Sequence, residues 1–385
     1  MRHLRELPRR MLAAIRGFGF KQWFLLVLNV VLVLASIGCA VGMNMVGGAL
    51  TSLTAAERFR GGAESRFAHV ACYLPVDDGK SEEDILSFRR ALEGRMMEQS
   101  LEAAEGGRLY LDAYHGVQPV SISAEGGSAS VKAVGVGGDF FYFHPLTLRS
   151  GAYIDSEDLM DDLVILDEEI AWRLYGGTNL VGMPVTINGE YFLIGGVVAR
   201  ETDFATERAY PGDGGVYMSF SAMKRLNEDA AVTGYEIVMP DPITSYAKGV
   251  VSDTFPIGAG DVVENSRRYS LTHLWEVLRS FGERSMRSNG VIYPYWENAA
   301  RLTEDYAALL LLLSALFAVC PVVFILVLSI RDIRRAYRFA KVKIPEKVDA
   351  AVEKRKEERL EKAYQKKAGG EQHGRIEPAQ RKKDI

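Results

Sequence analysis

The side chains able to do chemistry fall into three groups. Asp155, Glu157, Asp158, Asp161 and Asp162 form an acidic run that could offer oxygen ligands to calcium. The run lacks the alternating ligands and fixed glycine of a calcium loop. Carboxylates at this density suit a solvated turn entering a helix N-terminus, where the dipole favours them. The six histidines, His3, His69, His115, His144, His273 and His373, show no metal-ligand spacing and are expected as isolated core or surface residues. Phe140, Phe141, Tyr142 and Phe143 could line a groove, but the burial preference of aromatic rings favours a buried strand and its edge. The sequence contains no GxxxxGK[ST] phosphate loop, HExxH, CxxC pair, EF-hand loop or GxSxG elbow. No nucleophile–base pair or metal constellation is visible, so no catalytic, cofactor or metal residue is predicted and a hydrolase is disfavoured.

Whatever positions these residues is set by two apolar runs. Trp23–Met45 and Tyr306–Ile330 are each long enough, at about 1.5 Å per helical residue, to cross a hydrocarbon core of about 30 Å. The first run is too long for a cleaved signal peptide. Ser36 stands three residues before Cys39, where lipidation would need an apolar residue. The net charge of −4 hides a strong asymmetry. Residues 1–22 carry +5 and residues 331–385 carry +8, which leaves −17 between them. The positive-inside rule then predicts both termini in the cytoplasm and the acidic middle outside. Arg331, Arg334, Arg335 and Arg338 follow the second run at once and would stop translocation. Gly38 and Gly42, with Ala35 nearby, form a small-xxx-small face that could let another helix approach. Asn29 is expected to hydrogen-bond to a partner helix, and Pro321 to bend the second span. Cys72 is the only cysteine of the middle region, so no internal disulfide can form there.

Between the runs, Ala49–Gly62 continues with helical character. Arg66–Pro75 alternates as a strand, and a helix follows with Ser81 as N-cap, Asp84 three residues on, and a stripe of Ile85, Phe88, Leu92, Met96 and Leu101. The glycine pair Gly106–Gly107 is expected to end it, and Arg108–Tyr114 is the next strand. A second strand–helix–strand unit spans Thr233–Pro240, Ile243–Phe255 and Asp261–Asn265. The stretch from about 120 to 230 is β-rich, and Asn188-Gly189 is its strongest hairpin signal. Leu271–Ser288 reads as an amphipathic helix. Glu297, Arg301 and Asp305 then stand four apart and could pair along a helix entering the second span. The tail from Pro345 reads as a charged helix, fading into disorder after Gly369, that could lie on anionic lipid or a partner protein.

One arrangement is more specific than any of these motifs. Phe140-Phe141, Leu148 with Gly151, VILDEEIAWRLYGG, LVGMPVTINGE and FLIGGVV stand in an order and spacing that resemble the extracytoplasmic core domain of MacB-like and FtsX-like ABC transporter permeases. The resemblance covers roughly residues 20–335. It implies an α+β outer domain, with porter-type strand–helix–strand units beside a β-rich subdomain, on a two-span α-helical membrane protein. Ala152 stands where the family commonly has Arg, and RDIRRAYRFAKVKIP replaces the usual charged stretch after the second span. The chain thus looks like a two-span relative of four-span permeases.

The expected domains are a basic N-terminus (1–22), span one (23–45), the outer domain (46–305), span two (306–330) and a basic tail (331–385). The resemblance implies a non-catalytic subunit of an ABC-type transport or mechanotransmission system in the cell membrane, its outer domain coupled through a two-helix stalk to a separate ATPase or permease subunit. Arg331, Arg334, Arg335 and Arg338 are the expected cytoplasmic contact. Membrane lipid, an extracytoplasmic protein or ligand and a hetero-complex or oligomer are the expected partners, and nucleic acid is not. The alternative is a solitary anchored binding or sensor protein with a cytoplasmic docking tail.

Overall fold

In a computed structural model of the chain, residues 19–48, 50–62, 65–101, 107–154, 161–210, 215–284 and 290–371 are described. Among these residues ten strands form: β1 (Phe67–Tyr73), β2 (Leu111–Ala124), β3 (Gly127–Gly138), β4 (Leu148–Gly151), β5 (Leu163–Asp167), β6 (Pro184–Ile187), β7 (Glu190–Val198), β8 (Gly215–Ser219), β9 (Gly234–Pro240) and β10 (Asp261–Glu264). All lie in a compact unit of residues 35–316.

Both strand–helix–strand units form, with helices Glu82–Glu98 and Tyr246–Thr254, but they share one sheet in the order β10-β1-β9-β2. Neighbours are antiparallel throughout, so β9 lies between β1 and β2, and β1 between β9 and β10. This is a split, ferredoxin-like β-α-β arrangement. Its helices cover one face, where Phe88, Leu92 and Met96 pack with Val250 and Val251 on Val70, Cys72, Tyr235, Ile237 and Met239. Ser81 and Asp84 form a complete capping box. The helix ends earlier than expected, at Glu98. Ser100 takes the left-handed conformation, φ 53°, while the N–H groups of Ser100 and Leu101 bond back to Met97 and Met96. That is a Schellman closure with serine where glycine is usual. Gly106 lies outside the described residues.

β2 is one 14-residue strand that runs past the expected end at Tyr114 into the β-rich stretch. Its first half pairs with β9 and its last residues with β6. The pairings β2-β3, β3-β8, β8-β5, β5-β7, β7-β6 and β6-β2 close a ring, which leaves no unpaired edge inside it. Val120, Ile122, Val131, Val164, Leu166 and Ile194 belong to the apolar core of this β-rich subdomain. Asn188 and Gly189 make the β6–β7 turn with φ 49° and 91°, the positive pair that a type I′ hairpin needs. Gly151 has φ +76°, and a Cβ there would sit 2.1 Å from the Gly195 carbonyl on β7. Only glycine fits that close crossing.

Phe140–Phe143 is a single helical turn, not a strand. β3 ends at Gly138 with φ +66°, and the turn that follows buries Phe140 and Phe143 on one side. Residues three apart share a helical face. The amphipathic helix is also shorter than expected, Leu271–Arg279, with a 3₁₀ turn at Phe281–Glu283 behind it.

Among the described residues two helices have the length and apolarity to cross a membrane, Phe20–Gly47 and the first part of Tyr295–Glu371. No residue of the first is buried, as lipid-facing apolar side chains require. The second runs 77 residues without a break, through Pro321 and Pro345. The tail is therefore not a separate helix begun by Pro345. Helix formers on both sides (Ala, Lys, Glu) carry the backbone across the missing N–H. Asn29 does not reach a partner helix, since its Nδ2 donates to Leu25 O at 2.7 Å in its own helix.

Candidate functional site

The second face of the β10-β1-β9-β2 sheet carries the site. Alternate residues of a strand share a face, so Val70, Cys72 and Ile237 face the helices while His69, Glu236 and His115 point the other way. All three are buried. Glu236 accepts from His144 Nε2 at 2.8 Å and from His69 Nε2 at 2.9 Å. Asn265, just after β10, donates Nδ2 to the His69 ring at 3.1 Å and accepts from Arg268 Nε at 2.7 Å. An ionised Glu236 and the donating Asn265 amide assign the Nε2–H tautomer to His69. Arg268 is fully buried; its Nη1 donates to Glu304 at 2.7 Å and its Nη2 to Glu297. Arg284 completes the line, bonding Glu304 and, at 3.0 Å, Asp305. One buried polar chain thus runs from the centre of the sheet to the helix that enters the second span.

Charge along this chain is set by burial against pairing. Burial pushes the Glu236 carboxyl up, but His144 and His69 outweigh it and hold it well below the usual range. Burial lowers His69, against the pull of Glu236, so the ring is neutral. Burial opposes the Arg268 charge, and Glu297 with Glu304 more than restores it. Burial also raises Glu304, but Arg268, His273 and Arg284 bring it down to about 2. Glu297 forms its ion pair with Arg268, and burial takes it up to about 7. The two carboxylates therefore share one guanidinium unequally.

Aromatic rings lock the same joint. Trp296, in the first turn of the stalk helix, lies 4.9 Å from the His115 ring, 4.6 Å from His144 and 5.7 Å from Phe140. Lower down, Leu274 and Val277 pack on Ala307 and Ala308, and Tyr269 bonds Thr303 at 2.7 Å. Ser36 and Ser314 then clasp the two helices. Each hydroxyl reaches the other residue's carbonyl, at 3.0 and 3.1 Å, and the two oxygens lie 3.1 Å apart. Polar contacts between spans measured in cycles average about 0.6 kcal/mol and reach about 1.7. Ser36→Ala with Ser314→Ala should show coupling in that range in a double-mutant cycle on unfolding in nanodiscs, and additive single effects would remove the clasp from the account.

The structure places the sequence-derived candidates as follows. A Cβ on Gly42 would meet Leu310 at 3.5 Å, whereas Gly38 faces open space. Arg331, Arg334, Arg335 and Arg338 are exposed on the long helix, with Arg335 3.7 Å from Asp332. Asp155, Glu157 and Asp158 lie outside the described residues, as do His3 and His373. Asp161 and Asp162 border β5, and the Asp161 carbonyl accepts from Arg225. Among the described residues no three His, Cys, Asp or Glu side chains group to hold a metal. The expected pairing of Arg301 with Glu297 and Asp305 is replaced: Glu297 takes Arg268, Asp305 takes Arg284, and Arg301 lies over the Tyr293 ring at 4.3 Å. His69, His115 and His144 are not isolated but gather around Glu236 and Trp296. Sequence reasoning missed Glu236, Arg268 and the serine clasp; the only signal for Glu236 was a carboxylate inside an otherwise apolar strand.

The fold and the joint define a class: a membrane protein in which an α+β domain, built from a ferredoxin-like half and a closed β-rich half, is flanked by two apolar helices and keyed onto the second. The profile of the MacB-like periplasmic core domain matches residues 26–247, more than half of the chain, and the chain belongs to that family. The match ends within the helix Tyr246–Thr254. Solved structures with similarity include the periplasmic region of MacB from Actinobacillus actinomycetemcomitans, at 14% identity and TM-score 0.37, covering 57% of this chain and 94% of that one. The extracellular domain of the noncanonic ABC-type transporter YknZ from Gram-positive bacteria also matches, at 14% identity and TM-score 0.33, covering 48% and 88%. No curated protein matches the chain.

Proposed function

We propose that the chain is a non-catalytic subunit of an ABC-type transport or force-transmitting system, its outer domain coupled through the stalk to an ATPase on a separate chain. The observation that supports this most is the buried chain from Glu236 through Arg268 to Glu297 and Glu304, because it ties the central strand β9 to a helix that continues unbroken to Glu371. A packed ionic joint resists small deformation, so a displacement at either end is passed on rather than absorbed. In this reading residues 46–305 lie outside, both basic termini are cytoplasmic, and Arg331, Arg334, Arg335 and Arg338 meet the ATPase.

Affinity purification of the full chain in mild detergent should recover a nucleotide-hydrolysing chain. Changing those four arginines to Glu should lose it without altering the protease resistance of the outer domain. Recovery of no ATPase, together with loss of a signalling output on deleting residues 340–385, would replace this reading by a solitary anchored receptor. Orientation needs an introduced label, because Cys72 is buried and burial raises its thiol pKa. Tyr191→Cys, at a position 81% exposed, should react with an impermeant maleimide from outside. Reaction only after lysis would overturn the topology.

A further inference from the structure

Two adjoining cavities lie where the outer domain meets the second apolar run. The lower one, about 490 Å³, is walled by Leu278 and Phe281 on one side and Tyr306, Leu309 and Leu312 on the other. Leu309 and Leu312 belong to the run Tyr306–Ile330, so this cavity lies against the beginning of the second apolar run. Its surroundings are apolar and exposed: Leu271 at 63%, Trp275 at 51% and Phe281 at 58%, with the Arg279 guanidinium over the Trp275 ring. An exposed Trp beside a cation, on a helix whose other face is packed on Ala307 and Ala308, with an exposed Phe in the turn behind it, suits a membrane interface. Phe204 adds a further apolar foot, 49% exposed and 4.9 Å from the Tyr306 ring.

The upper cavity, about 270 Å³, shares Leu302 and Asp305 with the lower one and is rimmed by Arg208, Arg284 and Arg301. Arg284 is committed to Glu304 and Asp305. Arg208 and Arg301 rest on aromatic rings, at 3.9 Å from Phe204 and 4.3 Å from Tyr293, and neither is in an ion pair among the described residues. Two guanidiniums outside any ion pair among the described residues thus rim the cavity that adjoins the apolar slot.

We propose that the two cavities form one site for an anionic phospholipid of the leaflet facing the outer domain. One acyl chain occupies the lower cavity and the phosphate lies between Arg208 and Arg301. This rests on the membrane-spanning reading of Tyr306–Ile330 and is independent of any ATPase. A lipid held there is a wedge between the helix Leu271–Arg279 and the stalk, and it fixes the height of the domain above the bilayer.

The test uses the full chain in nanodiscs doped with phosphatidylglycerol or phosphatidylcholine carrying the same diazirine-labelled acyl chain. Peptides containing 278–281 and 302–312 should be labelled about thirtyfold more from phosphatidylglycerol, two basic contacts near the surface each favouring anionic lipid by about 1 kcal/mol. Arg208→Gln with Arg301→Gln should bring labelling down to the phosphatidylcholine level, and Leu309→Trp, which fills the slot, should remove it from both lipids. Unchanged protease resistance would show that the variants fold. Equal labelling by the two lipids, label spread evenly around the span, or displacement by inorganic phosphate would overturn the site.

Discussion

Replacing Arg268 by methionine is expected to destabilise the outer domain by about 3–5 kcal/mol, the range seen when one partner of a buried ion pair is removed. The guanidinium serves three acceptors at once, Asn265, Glu297 and Glu304, and is 1% exposed. Without it Glu304 keeps its charge in the interior and Asn265 loses the donor that orients it toward His69. Arg268→Lys should recover little, because an ammonium cannot reproduce three donors in a planar fork. Glu297→Gln should be mild by comparison, since burial already holds that carboxyl near its neutral form at pH 7. Combining Arg268→Met with Glu297→Gln and Glu304→Leu should return most of the loss, because the guanidinium and both carboxylates that face it go together and only the Asn265 oxygen is left without its donor. Pulse proteolysis of the full chain in nanodiscs over a urea series reads all four. A loss under about 1 kcal/mol for Arg268→Met would mean that the polar chain does not hold the domain to the stalk.

Much of the architecture was legible because it rests on local signals. Span length, the capping box at Ser81 and Asp84, and the Asn188-Gly189 turn each follow from a few adjacent residues. What was not legible depends on distant partners. The two strand–helix–strand units were visible, but a period of two states that a strand has a buried face without stating which strand lies beside it. Their interleaving, with β9 between β1 and β2, could not be read. The expected strand stopped at Tyr114, whereas β2 runs on through Gly116 and Pro119 to Ala124. The structure explains the glycine: a Cβ at 116 would stand 2.5 Å from the Ala231 carbonyl.

The joint was hidden for the same reason. Glu236 meets histidines 92 and 167 positions away, and Asn265 reaches His69 across 196. No spacing rule spans such distances. The clue lay in β9, where all seven residues are buried and one is a carboxylate, since a buried charge demands a partner. Arg268 gave no such clue, standing in a polar loop beside Arg267. Glu297 misled in the opposite direction. Helical spacing allowed a pair with Arg301, but its face of the helix is turned into the domain, where Arg268 waits.

Acidification from pH 7 to 4 is expected to separate two variants at this joint in opposite senses. Burial pulls the His115 ring down to about 4; His144 adds to this and Glu236 only partly opposes it. The unfolded ring titrates near 6.5. Folding therefore gains from a neutral His115 in full above pH 6.5, and loses that gain as pH falls through 4, about 3 kcal/mol in all. Glu297 works the other way. Its carboxyl is raised to about 7 from about 4.5, so its contribution is full below pH 4.5 and is lost as pH rises through 7, again about 3 kcal/mol. The stability gap between wild type and His115→Phe should shrink by about 3 kcal/mol on going from pH 7 to 4, and the gap to Glu297→Gln should widen by about as much. Between pH 4.5 and 6.5 the two nearly offset in the wild type, with His69 tilting the balance toward acid loss. Below that window Glu304 and Glu236 take up protons that their partners had kept off, and stability falls steeply. Urea midpoints of the three proteins at half-unit pH steps measure this, and three parallel profiles would sink it. One of the two groups stands on the sheet and the other on the stalk helix, so their opposition keeps the strength of the joint level between about pH 4.5 and 6.5.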